Sequence, residues 1–108
     1  LDTMRREQEY GVTLALPVTD TPVLARGIVA WNYISRENLY TIQTPQAFEY
    51  GWLRMAHNEA LKKANFVYTD DSSLLRLVDE SAMIIPGSPE NIKVTRPEDL
   101  PMAEAILT

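Results

Sequence analysis

The sequence contains no cysteine, which excludes a disulfide framework and a metal bound by thiolates. His57 is the only histidine, so no pair of imidazoles is available for a metal, and we expect this residue on a helix surface. No apolar run is long enough to cross a bilayer, and no signal peptide is visible at the start. We therefore expect no membrane partner, and nothing in the sequence points to secretion.

Positive charge is also scarce, since 10 Lys and Arg residues face 15 Asp and Glu residues, for a formal net charge of −5. A general nucleic-acid binder would show a basic face, so this balance argues against one. It leaves room for a few cations gathered around one small phosphorylated ligand.

Two phosphate-binding motifs are missing, G-x-G-x-x-G and G-x-x-x-x-G-K-[ST]. If the protein handles a nucleotide, the loop that cradles the triphosphate lies outside this chain.

What is present fits one globular domain of 108 residues, with 45% hydrophobic and 23% charged residues. Strand-like and helix-like patterns follow in the order strand, arm, strand, helix, strand, helix, strand, strand, helix. This alternation predicts an α/β layered sheet.

The first residues, Leu1 to Tyr10, are charged and compatible with a helix that Gly11 ends. Position 1 is not methionine, so we expect the tail of a helix whose beginning is missing, in a fragment of something longer. Val12 to Val18 is a short apolar run suited to a buried strand.

Two extended pieces follow, Val23 to Ala30 and Trp31 to Ile34, with a plausible tight turn at Arg26-Gly27. Together they predict a β-arm with exposed apolar side chains. A lone two-stranded arm is marginal in water, so it needs a partner, either the body of the domain or a second subunit. Of the two, we expect the second subunit.

The stretch T-I-Q-T-P-Q-A-F predicts the start of a long amphipathic helix over residues 45 to 64. Thr44 suits the N-cap and Pro45 suits the first helical position. The first-turn N–H groups then offer a place for an anion. The alternative is an ordinary capped helix, which the local pattern alone favours.

In the second half, Phe66 to Tyr68 is predicted to be a brief strand, and any of Thr69, Asp70 and Asp71 can cap the helix that follows through Val78. The adjacent acids suggest a metal or a general base, but acids at a helix start are favoured by the macrodipole alone, and we prefer that structural role.

Met83 to Pro86 is predicted to be a strand, and Asn91 to Val94 an extended segment with Ile92 and Val94 turned inward. Thr95 and Glu98 form a predicted capping box.

The residues alone leave the roles of two cations undecided. Arg36 is either a solvated surface residue, the usual outcome, or a fork for phosphate. Lys93 lies just before a predicted helix start, where a lysine either binds a phosphate as a point charge or extends to water.

Six segments occur in the order and near the spacing of one family, and the chain resembles the C-terminal half of 2-C-methyl-D-erythritol 4-phosphate cytidylyltransferases. The segments are P-V-T-D-T (17 to 21), S-R-E-N-L-Y (35 to 40), Q-T-P-Q-A-F (43 to 48), T-D-D (69 to 71), P-G-S-P-E-N-I-K-V-T (86 to 95) and R-P-E-D-L (96 to 100). Ribitol-5-phosphate cytidylyltransferases share much of this pattern and are the runner-up.

The resemblance implies a Rossmann-like fold of the nucleotide-diphospho-sugar transferase type, with residues 1–108 as the C-terminal portion of one domain. It implies a homodimer formed through a protruding β-arm at about residues 22–39. The implied reaction is attack by the acceptor's phosphate oxygen on the α-phosphate of CTP, with Mg²⁺ and release of pyrophosphate. The implied location is a bacterial cytoplasm or a plastid.

Site residues follow from the same resemblance. Thr21 and Arg36 should reach the acceptor phosphate from the arm, into the partner's site. Thr44 and Thr69 should line the acceptor pocket, and Lys93 should lie between the acceptor phosphate and the α-phosphate. Asp70 and Asp71 stay mainly structural.

Two departures matter. Val23 stands where the family often has a lysine, which removes one cation near the arm. The CTP loop and the acidic Mg²⁺ residue belong to the absent N-terminal half, so this chain alone should be catalytically silent. The alternative from another class is a non-catalytic dimerisation module that keeps the scaffold.

Overall fold

The computed structural model describes residues 10–63 and 67–108. Five strands, three helices and one 3₁₀ turn occur in this part of the chain. In chain order they are β1 (Gly11–Pro17), β2 (Val23–Arg26), β3 (Val29–Tyr33), β4 (Tyr40–Phe48), α1 (Tyr50–Leu61), α2 (Asp71–Leu74), the 3₁₀ turn (Leu75–Val78), β5 (Met83–Pro86) and α3 (Asp99–Leu107).

β1 is the middle strand of a three-stranded sheet of order β4-β1-β5. The Glu49 amide donates to the Tyr10 carbonyl at 2.9 Å and the Val18 amide donates to the Leu39 carbonyl at 3.0 Å. Opposite ends of β1 and β4 are therefore paired, so the two strands are antiparallel. The strand predicted from the apolar run is confirmed.

The described residues divide into two compact units, residues 10–14 with 44–63 and 67–85, and residues 15–43 with 86–108. In the first unit the buried core is formed by Val12, Thr13, Ala56, Leu74 and Leu75. Ala56 on α1 thus shares a core with the two leucines that join α2 to the 3₁₀ turn.

The predicted start of the long helix is wrong. β4 stays extended through Phe48, past a cis Thr44–Pro45 peptide, and α1 begins at Tyr50. Glu49 is the N-cap, and its carboxylate accepts from the amides of Gly51 at 2.9 Å and Trp52 at 3.3 Å. Because β4 is an edge strand of the described sheet, it tolerates a proline, and the residue before a proline is biased towards extended backbone. Thr44 therefore caps no helix, and the predicted anion site at that helix start is absent.

Asp70 is the cap of the next helix, one of the three residues predicted for that role, and its carboxylate accepts from the Ser73 amide at 3.0 Å. The helix is shorter than predicted, since α2 ends at Leu74 and the chain continues as a 3₁₀ turn to Val78. Phe66 and most of the predicted N-terminal helix lie outside the described residues.

In the second unit β2 and β3 form an antiparallel hairpin, which confirms two extended pieces, although β3 begins at Val29 rather than Trp31. Gly27 lies in the turn with φ 57°, a left-handed conformation that glycine adopts without steric cost. The register shifts between Leu24 and Ala25, and every residue of both strands is exposed.

The end of the second unit differs from its prediction in two places. Asn91 to Val94 forms no regular strand, and Val94 is 49% exposed although it was predicted to point inward. The capping box is also wrong, because α3 begins at Asp99 and Glu98 makes no capping bond through its side chain. Residues 96–98 form a turn, and the carboxylate that accepts from Thr95 is that of Asp99.

Gly11 marks the tightest packing in the first unit. A Cβ added there would lie 2.7 Å from Phe48 Cδ1 and 3.0 Å from Leu75 Cδ1. We expect Gly11→Ala in the full-length protein to lower the free energy of unfolding by about 1–3 kcal/mol through overpacking. Denaturant unfolding measures this.

The matched variant Phe48→Ala removes Cδ1 and Cε1, the ring atoms that the new methyl group would meet. Gly11→Ala should therefore cost less in the Phe48→Ala background than in the parent protein. Equal costs in both backgrounds would contradict the packing explanation.

Candidate functional site

A cavity of about 450 Å³ lies in the second unit, where β1 ends and β4 begins. Its lining residues are Leu16, Pro17, Val18, Thr19, Asp20, Thr41 and Pro89. The lining is mostly apolar, with two hydroxyl groups and one carboxylate. Since a carboxylate repels phosphate, this lining suits an uncharged hydroxylated group, and an anion requires cations from the rim.

Arg36 lies at that rim. Its Nη1 donates to the carbonyl oxygen of Thr19, one of the lining residues. The Ile34 amide donates to the Pro22 carbonyl at 3.1 Å, and this bond holds the segment after β1 against the residues after β3. The structure thus brings Arg36 and the Thr21 segment together, and both side chains are exposed. A guanidinium has five N–H donors, so one backbone contact leaves others for a ligand.

Lys93 is exposed, in an irregular segment of residues 91–95 in the same unit. The segment is held at its start, where Gln43 Nε2 donates to the Asn91 carbonyl at 3.1 Å. It is held at its end by Asp99, whose Oδ2 accepts from the amides of Thr95 at 3.1 Å and Arg96 at 3.0 Å. Lys93 therefore lies between two fixed points of the backbone.

The bonds to Asp99 also change its acidity. The backbone amides of Thr95 and Arg96, with a weaker contribution from the Thr95 hydroxyl, lower the pKa of the Asp99 carboxyl below 3.8. Hydrogen bonds to the ionised form favour that form.

Thr44 and Thr69 lie in the first unit, and both are exposed. Gln46, two residues after Thr44, donates through Nε2 to Asp70 Oδ2 at 3.1 Å, and Asp70 directly follows Thr69. This bond joins the two segments that carry the threonines.

Asp70 has a structural role, as predicted. Although partial burial raises its pKa, the hydrogen bonds from Gln46, the Ser73 amide and the Ser72 hydroxyl together lower it. Asp71 faces His57 instead, with Oδ1 at 3.1 Å from His57 Nε2.

A divalent cation is implied by the family resemblance, and the described residues do not fit one. Among them no group of three or more His, Asp or Glu side chains converges on a common point. The two adjacent acids are separated in their roles, Asp70 as a helix cap and Asp71 as a partner of His57. The described residues therefore supply no metal site of their own.

Sequence reasoning missed Gln43 and the cavity residue Thr41, whereas Thr19 belongs to a turn whose small side chains can bond nearby backbone or a ligand. The turn-forming composition of residues 19–22 signalled a ligand-facing loop, but strand registry decides that β4 contributes to the same cavity. For Gln43 the only signal was its place in the Q-T-P-Q-A-F segment.

The fold and the site define an α/β protein with a cavity at strand ends and one arginine, Arg36, bound to its lining. The profile of the 2-C-methyl-D-erythritol 4-phosphate cytidylyltransferase family matches residues 2–108, and the chain belongs to this family. It is 46% identical over 100 residues to the enzyme of that name from Pelotomaculum thermopropionicum, covering 91% of this chain and 42% of the relative. The Geobacillus kaustophilus protein is 44% identical over 100 residues, covering 92% and 43%.

Solved structures agree with the assignment. The crystal structure of 2-C-methyl-D-erythritol 4-phosphate cytidylyltransferase from Thermus thermophilus matches with a TM-score of 0.83 and 31% identity, covering 99% of this chain and 52% of that one. The Anaerococcus prevotii 4-diphosphocytidyl-2C-methyl-D-erythritol synthase matches with a TM-score of 0.81 and 30% identity, covering 97% and 49%. The chain thus spans less than half the length of the curated relatives described above. Within the part of the chain that the structure describes, every helix is too short or too polar to span a membrane.

The lowered pKa of Asp99 predicts how its hydrogen bonds to the Thr95 and Arg96 amides respond to pH. The stabilisation from an aspartate with a lowered pKa is fully present above about pH 3.8 and is lost as the pH falls through the lower pKa of the folded protein. NMR titration of the full-length protein should give an Asp99 pKa below 3.8, with the Thr95 and Arg96 amide shifts following the same curve.

Asp99→Asn is the control, because its amide oxygen still accepts a hydrogen bond but does not titrate. The pH dependence of the two amide shifts should disappear in this variant. An Asp99 pKa at or above 3.8 in the parent protein would contradict the assigned hydrogen bonds.

Proposed function

We propose that the full-length protein transfers the cytidylyl group of CTP to 2-C-methyl-D-erythritol 4-phosphate, in the non-mevalonate route to isoprenoids. The products are CDP-methylerythritol and pyrophosphate. The observation that carries this proposal is the family match over residues 2–108. The family alone supports a bacterial cytoplasmic or plastid location.

We propose that the chain is the C-terminal portion of a single Rossmann-like cytidylyltransferase domain. The absence of both glycine-rich phosphate motifs from the sequence supports this, since the remainder of the domain must then hold the CTP triphosphate. This chain covers 42% of the Pelotomaculum thermopropionicum relative, and the uncovered part of that relative is long enough to hold such a site.

Lys93 and Arg36 are the proposed catalytic residues. In the reaction an acceptor phosphate oxygen bonds to the α-phosphorus of CTP, and the bond from that phosphorus to the pyrophosphate oxygen breaks. Two anions must approach each other for this, and the chain itself carries a net charge of −5. Fixed cations at the point of approach reduce that repulsion, which is the main contribution a protein makes to such transfers.

Thr21, Thr44 and Thr69 are the proposed substrate-binding residues. Their hydroxyls are exposed, and each can donate to a phosphate or accept from a sugar-alcohol hydroxyl. Thr21 and Arg36 lie at the base of the hairpin, which suits a contribution to the site of a second protomer. Mg²⁺, the metal proposed for the reaction, takes its ligands from outside this chain.

The hairpin is the proposed homodimer contact. Leu24, Val29 and Trp31 are 56%, 56% and 57% exposed, although all three are apolar. The Arg26 guanidinium lies 3.7 Å from the centroid of the Trp31 ring and covers one of its faces. Because an isolated hairpin is marginal in water, a second copy that covers these side chains accounts for the exposure.

Lys93→Ala in the full-length protein should lower kcat by about 10²- to 10³-fold while the melting temperature stays close to the parent value. The reason is the loss of one cation from the point where the anions meet. The assay follows pyrophosphate release from CTP with the methylerythritol acceptor, and with ribitol 5-phosphate for comparison.

Lys62→Ala is the matched control, because the Lys62 ammonium pairs with Glu59 at 3.0 Å where α1 ends, and this variant should keep full activity. Parent-level turnover by Lys93→Ala would remove Lys93 from the site. A folded parent protein without any cytidylyl transfer would favour the non-catalytic module.

The dimer contact is tested by Leu24→Asp with Val29→Asp. Each side chain is 56% exposed before association, so the dimer can bury about half of each, and the two changes together remove roughly 1.5–3 kcal/mol of burial. The dissociation constant of the dimer should therefore rise about tenfold or more. Sedimentation of the full-length protein measures the shift towards monomer. Leu107→Asp on α3, where the parent leucine is 85% exposed, is the control and should leave the association unchanged. An unchanged dimer in the hairpin variant would contradict the proposed contact.

A further inference from the structure

The carboxamide of Gln43 binds the loop that follows β5 through three hydrogen bonds. Its Nε2 donates to the carbonyls of Ser88 at 3.0 Å and Asn91 at 3.1 Å, and its Oε1 accepts from the Ser88 amide at 3.3 Å. One side chain on β4 therefore satisfies both polar backbone groups of Ser88 and reaches three residues further along the loop.

Gly87 is fitted to this amide. A Cβ added to Gly87 would lie 2.1 Å from Gln43 Oε1, so any side chain there would push the amide away. The Gly87 amide donates to the Ala15 carbonyl at 3.0 Å, which fixes the same residue to β1. The glycine is needed here for close approach.

The bond to Asn91 ends two residues before Lys93. Turn bonds inside the loop, Asn91 N to Ser88 O and Ile92 N to Glu90 O, both at 3.0 Å, make the loop a unit that moves with its anchor. The lysine side chain is long and flexible, so the position of its backbone sets where the ammonium group can reach. A displacement of about 1 Å in a positioning element costs up to about 10²-fold in rate.

We infer that Gln43 is a positioning residue for Lys93, acting through the 87–91 loop. This inference rests on the proposed role of Lys93. The site requires two donors and one acceptor, which a glutamine supplies and a glutamate does not. A carboxylate in that place would face the carbonyl oxygens of Ser88 and Asn91 without a proton to donate.

The test uses the full-length protein with CTP and the methylerythritol acceptor. Gln43→Glu keeps the size of the side chain and the acceptor for the Ser88 amide but loses both donated bonds. We expect kcat to fall by about ten- to a hundred-fold, with the KM for CTP and the melting temperature close to the parent values. Gly87→Ala displaces the same amide from the opposite side. It should also lower kcat while the KM for CTP stays close to the parent value.

Ile42→Ala is the matched control, since Ile42 neighbours Gln43 on β4, is 45% exposed and points to the other face of the strand. It should leave kcat unchanged. Amide exchange at Ser88 should be faster in both Gln43→Glu and Gly87→Ala than in this control.

The outcomes separate the two proposals. If Lys93→Ala is inactive and Gln43→Glu keeps kcat within about two-fold of the parent, the role of Gln43 is overturned and that of Lys93 stands. If Lys93→Ala itself is fully active, the role of Lys93 is overturned and that of Gln43 falls with it. If Gln43→Glu does not fold, the kcat of Gly87→Ala decides by the same criterion.

Discussion

Backbone hydrogen bonds along β1 hold the segments around the candidate site. The Val18 amide, directly after β1, donates to the Leu39 carbonyl. The Ala15 carbonyl accepts from the amide of Gly87, in the loop after β5. Strand pairing leaves little freedom in register once one face is buried, and Val12, Thr13 and Ala15 are buried. The positions of the Arg36 and Lys93 segments thus depend on the same strand, although neither residue belongs to it.

Where strands and helices end, hydrogen bonds from side chains to the backbone hold the chain in position. Gln43 and Asp99 hold the two ends of the irregular Lys93 segment, and Glu49 and Asp70 cap helices. Each bond satisfies backbone groups that regular structure leaves unpaired. The bonds to Gln43 and Asp99 end on backbone groups of residues 91, 95 and 96, so they fix the segment without using the Lys93 side chain.

Local chemistry was readable from the sequence in several places. The apolar run of β1 and the strand at Met83–Pro86 were predicted correctly, and the cap at Asp70 is one of the three residues predicted for it. Each of these features depends on residues within a few positions of one another. The same reasoning failed at Thr44-Pro45 and at Thr95-Glu98. Proline is compatible with a first helical position and with an edge strand. The Asp99 carboxylate binds the Thr95 and Arg96 amides ahead of α3, so Thr95 lies outside the helix and does not cap it.

The sequence alone determined the family, the α/β class, the acidic balance and the lack of thiolate chemistry, because these follow from residue identity and order. Only the tertiary structure decided that β4 continues to Phe48, that Gln43 bonds Ser88 and Asn91, and that Arg36 lies beside the cavity. These contacts join residues 17 to 48 positions apart. Strand pairing brings such residues together, and no local preference specifies which distant residue a side chain will meet.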